Sequence, residues 1–451
     1  MSRARGATRT RTRIDKATRS RRWALRRSVL APAAGVVAAA TVGALLVSNA
    51  RGAHHDDARG GQAEPTASAG RQGDAAHPGR VGAWESAMSA GGPSFRRQTI
   101  RMVVHTSVGG SGLRIRISDL RSEQGLAVGA ADVAEQYDGG RAVAGTHHRV
   151  TFGGSRSTTV GAGTEEYSDV IPMRVAADQN LLVSLYLPGP TGAATFHREA
   201  YETTYVSTDG VDHAADDSAA GYARTRTSWY YLSGLDVVSP TAHATVVAFG
   251  DSITDGYHST AGANRRWPDQ LARRLASAPG GQRLGVVDAG IAGNRLLTQA
   301  PEIYRGPSGV HRFADDALSE PGVKDVILLE GVNDLSNDLN SAGGPLTAQN
   351  LIDGYRALIT RGHAAGVRMI GGTILPYSRL SPAMNAIRVQ VNQWIRTSGA
   401  FDAVVDFDRA LRDPSHPDAM APAYDSGDHL HPNDAGMLAM ADAVDLNALV
   451  S

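Results

Sequence analysis

The 451-residue chain contains no cysteine, which excludes disulfides, thiolate metal sites and a cysteine nucleophile. Export is not excluded by this, since many secreted bacterial proteins lack disulfides. Lysine is nearly missing too: Lys16 and Lys324 are the only two, so almost all positive charge is arginine. Net charge is zero, with 45 Lys and Arg against 45 Asp and Glu, but the balance is uneven. Residues 1–30 hold 11 basic side chains against Asp15 alone, which leaves 34 basic against 44 acidic in the rest. An acidic body argues against nucleic acid as the main partner. What is present is a globular composition, 42% hydrophobic. At roughly 150 residues per domain the length suits two or three domains.

The basic stretch Arg19 to Arg27 precedes Ser28 to Ala50, which carries no charge. This order reads as the basic, apolar and small-residue regions of an export signal, with a cut after Ala50 at Ser48-Asn49-Ala50. Ser20-Arg21-Arg22-Trp23-Ala24-Leu25-Arg26 resembles the twin-arginine export motif, with Ala24 where Phe is usual. The competing reading is an uncleaved anchor over residues 28–50, which is nearly long enough to span a bilayer. Its Ala and Gly content and Pro32 weaken that alternative, so the expectation is an extracellular protein without stable membrane association after cleavage. Residues 51–80 have almost no large apolar side chain and read as a flexible linker. His54, His55, Asp56 and Asp57 lie in it, where ordering loose metal ligands would cost entropy.

Two patterns follow. Over residues 81–239 apolar residues recur with period two: Leu113, Ile115 and Ile117 alternate with Arg114, Arg116 and Ser118, predicting one apolar and one wet face. Similar runs lie at Thr99–Val108, His147–Phe152, Leu181–Leu187, Thr195–Ser207 and Thr225–Val238. Short strands separated by turn residues predict an antiparallel β-sandwich, jelly-roll-like. Over residues 240–451 the short apolar runs Ala244–Phe249, Leu284–Asp288, Lys324–Leu329, Val367–Thr373 and Ala403–Phe407 alternate with helical patterns. Those are Trp267–Ala278, Thr347–Ala365, Met384–Ser398 and Asn433–Leu449. This predicts an α/β domain with parallel strands covered on both faces, and an active site beyond their carboxyl ends.

Polar motifs fall at those ends. The first strand runs into Gly250-Asp251-Ser252-Ile253-Thr254, where a sharp turn presents Ser252 as a candidate nucleophile; a helix N-cap is the plain alternative. Near the C-terminus, Asp428-His429-Leu430-His431-Pro432 places an acid three residues before a histidine. Asp428 can accept the Nδ1 proton of His431 and leave Nε2 free to act on a serine, whereas His429 adjoins the acid and should point elsewhere. A polar loop is the alternative, and a metal held by Asp425, Asp428, His429 and His431 meets no zinc spacing rule. Gly290-Ile291-Ala292-Gly293-Asn294 and Gly331-Val332-Asn333-Asp334 follow the second and third strands. A glycine N–H and an asparagine amide there can bind a developing oxyanion, although turns favour the same residues.

Taken together and in this order, Gly-Asp-Ser, Gly-Ile-Ala-Gly-Asn, Gly-Val-Asn-Asp and Asp-x-x-His-Pro resemble the SGNH hydrolases, also called the GDSL esterase and lipase family. The resemblance spans residues 243–449, with Ile253 replacing the leucine of the family's name and His429 standing where Gly is common. It implies a five-stranded flavodoxin-like sheet. It also implies Ser252 as nucleophile, His431 as base and Asp428 as its orienter, with Gly293, Asn333 and the Ser252 N–H as oxyanion donors. The preceding β-domain is similar to those of secreted bacterial carbohydrate-esterase and xylan-cluster arylesterase-like members.

The expectation is therefore a secreted serine esterase needing no cofactor and no metal. Its substrates would be short acyl esters of carbohydrate or aryl alcohols, including acylated polysaccharide. The segments expected near Ser252 are polar, and Leu296-Leu297 is the only adjacent pair of large aliphatics to form a short acyl pocket. The alternatives are a lipase or phospholipase on longer chains, which needs a long apolar groove, and a catalytically silent carbohydrate-binding protein. Trp229, Tyr230, Tyr231, Tyr201 and Tyr205 would be that protein's stacking platform, but strand aromatics more often form core.

Overall fold

A computed structural model describes residues 79–279, 283–338 and 344–449. The expected export segment 1–50 and nearly all of the expected linker 51–80 lie outside the described residues.

The chemistry-bearing half is a five-stranded parallel sheet: β1 (Ala244–Gly250), β2 (Leu284–Gly290), β3 (Val323–Leu329), β4 (Arg368–Gly372) and β5 (Ala403–Val405). Their order across the sheet is β2-β1-β3-β4-β5, with every pair parallel. All seven residues of β1 are buried, as expected for a central strand covered on both faces. The covering helices have ordinary sequence causes. In α1 (Trp267–Ser277) Pro268 sits in the first turn and Trp267, Leu271, Ala272 and Leu275 bury one stripe. Thr347 caps α2 (Ala348–Ala364), and Ser381 caps α3 (Pro382–Thr397). The final helix, α4 (Asp434–Ala443), is shorter than its pattern suggested and is followed by a 3₁₀ turn at Leu446–Ala448.

Before β1 the chain is antiparallel and β-rich. One sheet centres on Gly110–Ser118, paired with Leu232–Val238, which in turn pairs with Val81–Glu85. A second centres on Gln179–Leu187, flanked by Gln98–Thr106 and Ala130–Asp138. Leu113, Ile115 and Ile117 of the first sheet and Ile100, Met102, Leu181 and Val183 of the second share one core. Trp229, Tyr230 and Tyr231 belong to that core as well. The Trp229 indole N–H donates to the Val103 carbonyl at 2.8 Å, so these aromatics offer no stacking surface.

The wet face expected of Gly110–Ser118 is not wet. Arg116 is 3% exposed, and its guanidinium donates to Glu320 of the α/β domain. An alternating strand shows that a face is polar, but not whether water or another domain covers it. The two domains belong to one compact unit. The Gly82 N–H donates to Thr245 Oγ1 at 2.9 Å and the Val286 N–H to Ser107 Oγ at 3.1 Å. Gly285 lacks a side chain where one would lie 2.2 Å from the Gly82 carbonyl, so β2 and the strand Val81–Glu85 approach backbone to backbone.

Candidate active site

The carboxyl end of β1 turns sharply into the short helix Ser252–Asp255. A side chain on Gly250 would meet Thr254 Oγ1 at 2.2 Å, so the turn needs glycine. Asp251 caps the helix by accepting the Ile253 N–H at 2.9 Å. Ser252 therefore takes the first helical position, whose N–H has no acceptor within the helix. Its hydroxyl lies 2.8 Å from His431 Nε2, and His431 Nδ1 lies 2.6 Å from Asp428 Oδ2. The other Asp428 oxygen accepts the N–H groups of Leu430 and His431, each at 2.9 Å, which orients the carboxylate. Partial burial pushes the Asp428 carboxyl upward, but those bonds and the imidazole outweigh it and hold it well below the ordinary carboxylate range. Burial of the His431 ring lowers its pKa from the ordinary 6.5, assisted by the charge of His258 and opposed by Asp428.

The neighbouring histidine points elsewhere, as its position suggested. His429 Nδ1 bonds Asp425 Oδ2 at 2.7 Å in an exposed loop. The four-residue metal cluster considered from sequence is thus split into two acid–histidine pairs. His258, Asp428 and His431 do lie close enough to hold an ion, but the His431–Asp428 hydrogen bond already occupies the facing atoms.

Gly293 and Asn333 line the same cleft as Ser252, Asp428 and His431. The Asn294 N–H donates to the Ile291 carbonyl at 3.0 Å and closes a turn, with Gly293 at its third position and φ +78°. The Asn333 amide donates to the Asn294 carbonyl at 2.9 Å, so its orientation is tied to that turn. Asp334 accepts the Leu296 and Leu297 N–H groups at 2.8 and 3.0 Å and ties the third strand's loop to the second's. Burial pushes Asp334 up to about 6 and Asp251 up to about 7, against the lowering effect of the N–H bonds they accept.

Several residues at the site have no sequence motif. Arg312, fully buried, donates to the Gly250 and Ala289 carbonyls, to Asn294 Oδ1 and to Glu330, so one guanidinium gathers the ends of β1, β2 and β3. Its only sequence signal is a cation among apolar helix residues at Val310 and Phe313. Tyr257, Tyr304 and Arg305 line the cleft, as do Arg198 and Glu199, which come from the β-rich domain. One expectation fails: Leu296 and Leu297 do not line the cleft but are 0% and 8% exposed within the α/β core. The bonds from Asp334 turn that segment inward.

Residues 248–439 match the family model described as GDSL-like lipase/acylhydrolase. No curated protein matches the chain. Solved structures similar to it include a lipolytic protein of the G-D-S-L family from Desulfitobacterium hafniense DCB-2. That match has 20% identity and TM-score 0.35, covering 44% of this chain and 97% of the other. An acetyl xylan esterase from Geobacillus stearothermophilus matches with 17% identity and TM-score 0.35, covering 45% and 93%. The acetyl xylan esterase AlAXEase matches with 21% identity and TM-score 0.34, covering 44% and 96%.

Proposed function

Because residues 248–439 form a GDSL-like lipase/acylhydrolase domain and the protein is a carboxylic ester hydrolase, we propose that Ser252 is its nucleophile and that it removes short acyl groups from hydroxyl-rich alcohols. The observation that carries the assignment is the continuous hydrogen-bonded chain Ser252–His431–Asp428 in a cleft also lined by Gly293 and Asn333.

His431 Nε2 takes the Ser252 proton as Oγ bonds to the ester carbonyl carbon. The oxyanion formed there is met by the Ser252 and Gly293 N–H groups and the Asn333 amide. The tetrahedral species collapses, the ester C–O bond breaks, and His431 hands its proton to the departing alkoxide. Water then adds to the acyl carbon as His431 takes its proton, and His431 returns that proton to Ser252 Oγ as the acyl–Oγ bond breaks and the acid leaves. Asp428 keeps His431 in the tautomer with Nδ1 protonated and stabilises the imidazolium in each half.

The cleft wall supports this substrate class. Among the described residues Leu430 is the one large aliphatic that lines the cleft, beside Arg198, Glu199, Arg305, Tyr257 and Tyr304. A long acyl chain gains about 0.8 kcal/mol per buried methylene only where apolar surface receives it. Acetyl to butyryl esters of sugar-like alcohols, acetylated polysaccharide among them, suit this wall better. Activity across p-nitrophenyl esters from two to sixteen carbons tests this: kcat/KM should peak at two to four carbons, and a peak at twelve or more would move the protein to the lipase reading. Export through residues 1–50 is part of the same proposal, supported by the basic-then-uncharged order of that segment. N-terminal sequencing of the protein from culture medium should begin at Arg51; finding the chain only in cells would refute it.

A further inference from the structure

The β-rich domain touches the catalytic apparatus through one strand end. The strand Ala194–His197 delivers His197, 4% exposed, against the helix that carries Ser252. His197 Nε2 lies 3.0 Å from Asp255 Oδ1, and Nδ1 lies 2.9 Å from the Ala87 carbonyl. The other Asp255 oxygen accepts the Ala292 N–H at 2.8 Å. Ala292 precedes Gly293 in the oxyanion turn, and the Ile291 N–H is held by the Gly250 carbonyl at 3.1 Å. Hence the entrance of this turn has two anchors: the end of β1, and a carboxylate gripped from the other domain. Asp255 is 2% exposed, so water does not take over either contact.

We propose that His197 is a positioning residue for ester hydrolysis, fixing Asp255 so that the Ala292 N–H is held and the Gly293 N–H is aimed at the oxyanion. This rests on the assignment of Ser252 and Gly293 given above. Both ring nitrogens of His197 face acceptors, a carbonyl and a carboxylate, so the ring donates from both as an imidazolium. Burial opposes that charge, but Asp255 and the Ala87 carbonyl outweigh it and raise the His197 pKa. The consequence is that the β-rich domain contributes to turnover without touching substrate at this residue. A donor displaced by about 1 Å can cost roughly a hundredfold in rate.

Two near-isosteric variants separate this role from plain packing. In His197→Asn the amide nitrogen takes the place of Nδ1, which keeps the Ala87 bond and loses Asp255. In His197→Gln it takes the place of Nε2, which keeps Asp255 and loses Ala87. Hydrolysis of p-nitrophenyl acetate by the full chain is normalised to sites titrated with a fluorophosphonate. His197→Asn should lose about a hundredfold in kcat with KM little changed, and His197→Gln should recover most of that loss. Equal losses, or a larger loss in His197→Gln, would overturn the proposal. Asp255→Asn is a second test, and if either His197 variant melts too low to assay its kcat alone decides, an unchanged kcat overturning the proposal. It should lose kcat to a similar degree, and combining it with His197→Asn should add nothing, because both break one link. Additive losses would also overturn it. Failure of the Ser252 assignment reads differently, as fluorophosphonate labelling that survives Ser252→Ala.

Discussion

Three of the groups proposed to react in the α/β domain lie within a few residues of strand ends, while Asp428 and His431 lie in the loop before α4. Ser252 follows β1, Gly293 follows β2 and Asn333 follows β3. The β-rich domain reaches the same place through three consecutive residues, His197, Arg198 and Glu199, at the end of one strand. The first arrangement is local, so short motifs announce it. The second depends on how two domains meet, and no motif marks it. On the reading proposed above the chemistry sits on one scaffold, while Arg198 and Glu199 of the other complete the cleft wall.

The sharpest way to test the division is to remove groups from each side. On the α/β side, Ser252→Ala and His431→Ala should each cost at least about a thousandfold in kcat, because the members act as a unit. His429→Ala should cost far less, since that ring pairs with Asp425 in an exposed loop; the opposite ranking would transfer the base to His429. Asn333→Ala, which removes one proposed oxyanion donor, should lower kcat about 100- to 1,000-fold with little change in KM.

The contact between the domains can be broken at its tightest point. Gly285→Ala would place a methyl 2.2 Å from the Gly82 carbonyl. Overpacking of this kind costs about 1–3 kcal/mol, read as a lower Tm in thermal melts. An unchanged Tm would mean that the domains are not held together there.

Smaller effects concern protons. Lowering of the His431 pKa by burial and by His258 implies an acid limb of kcat/KM below pH 6.5, and His258→Gln should move it upward. A limb above 6.5 in the unaltered protein would contradict the burial argument. Asp288, partly buried at the junction, is pushed up to about 8 by desolvation of its carboxyl. The folded state therefore keeps its proton where the unfolded chain has lost it. That stabilisation is fully present below the ordinary carboxylate pKa and is lost as pH rises through about 8. Tm should fall slightly between pH 5 and pH 9, and Asp288→Asn should flatten the fall.

Much of this was legible before the structure. Continuous apolar runs located all five parallel strands, because a strand buried on both faces has no polar alternation to confuse it. The order of four motifs placed Ser252, Gly293, Asn333, Asp428 and His431 in one cleft. In the β-rich domain the strand Ala130–Asp138 escaped, since its alternation is broken by Ala130-Ala131 and by the acidic residues. Arg116 was read as solvated although it is buried against Glu320. Leu296 and Leu297 were read toward the cleft although Asp334 turns their backbone inward. The last two misses involve partners more than 35 residues away, a distance over which periodicity carries no information.

The central claim is that Ser252 is the one activated hydroxyl of the protein. Treating the full chain with a fluorophosphonate and mapping the modified peptide tests it most directly. The account predicts a single adduct on Ser252, absent in Ser252→Ala and strongly slowed in His431→Ala. An adduct on another residue, or labelling that persists in Ser252→Ala, would contradict it.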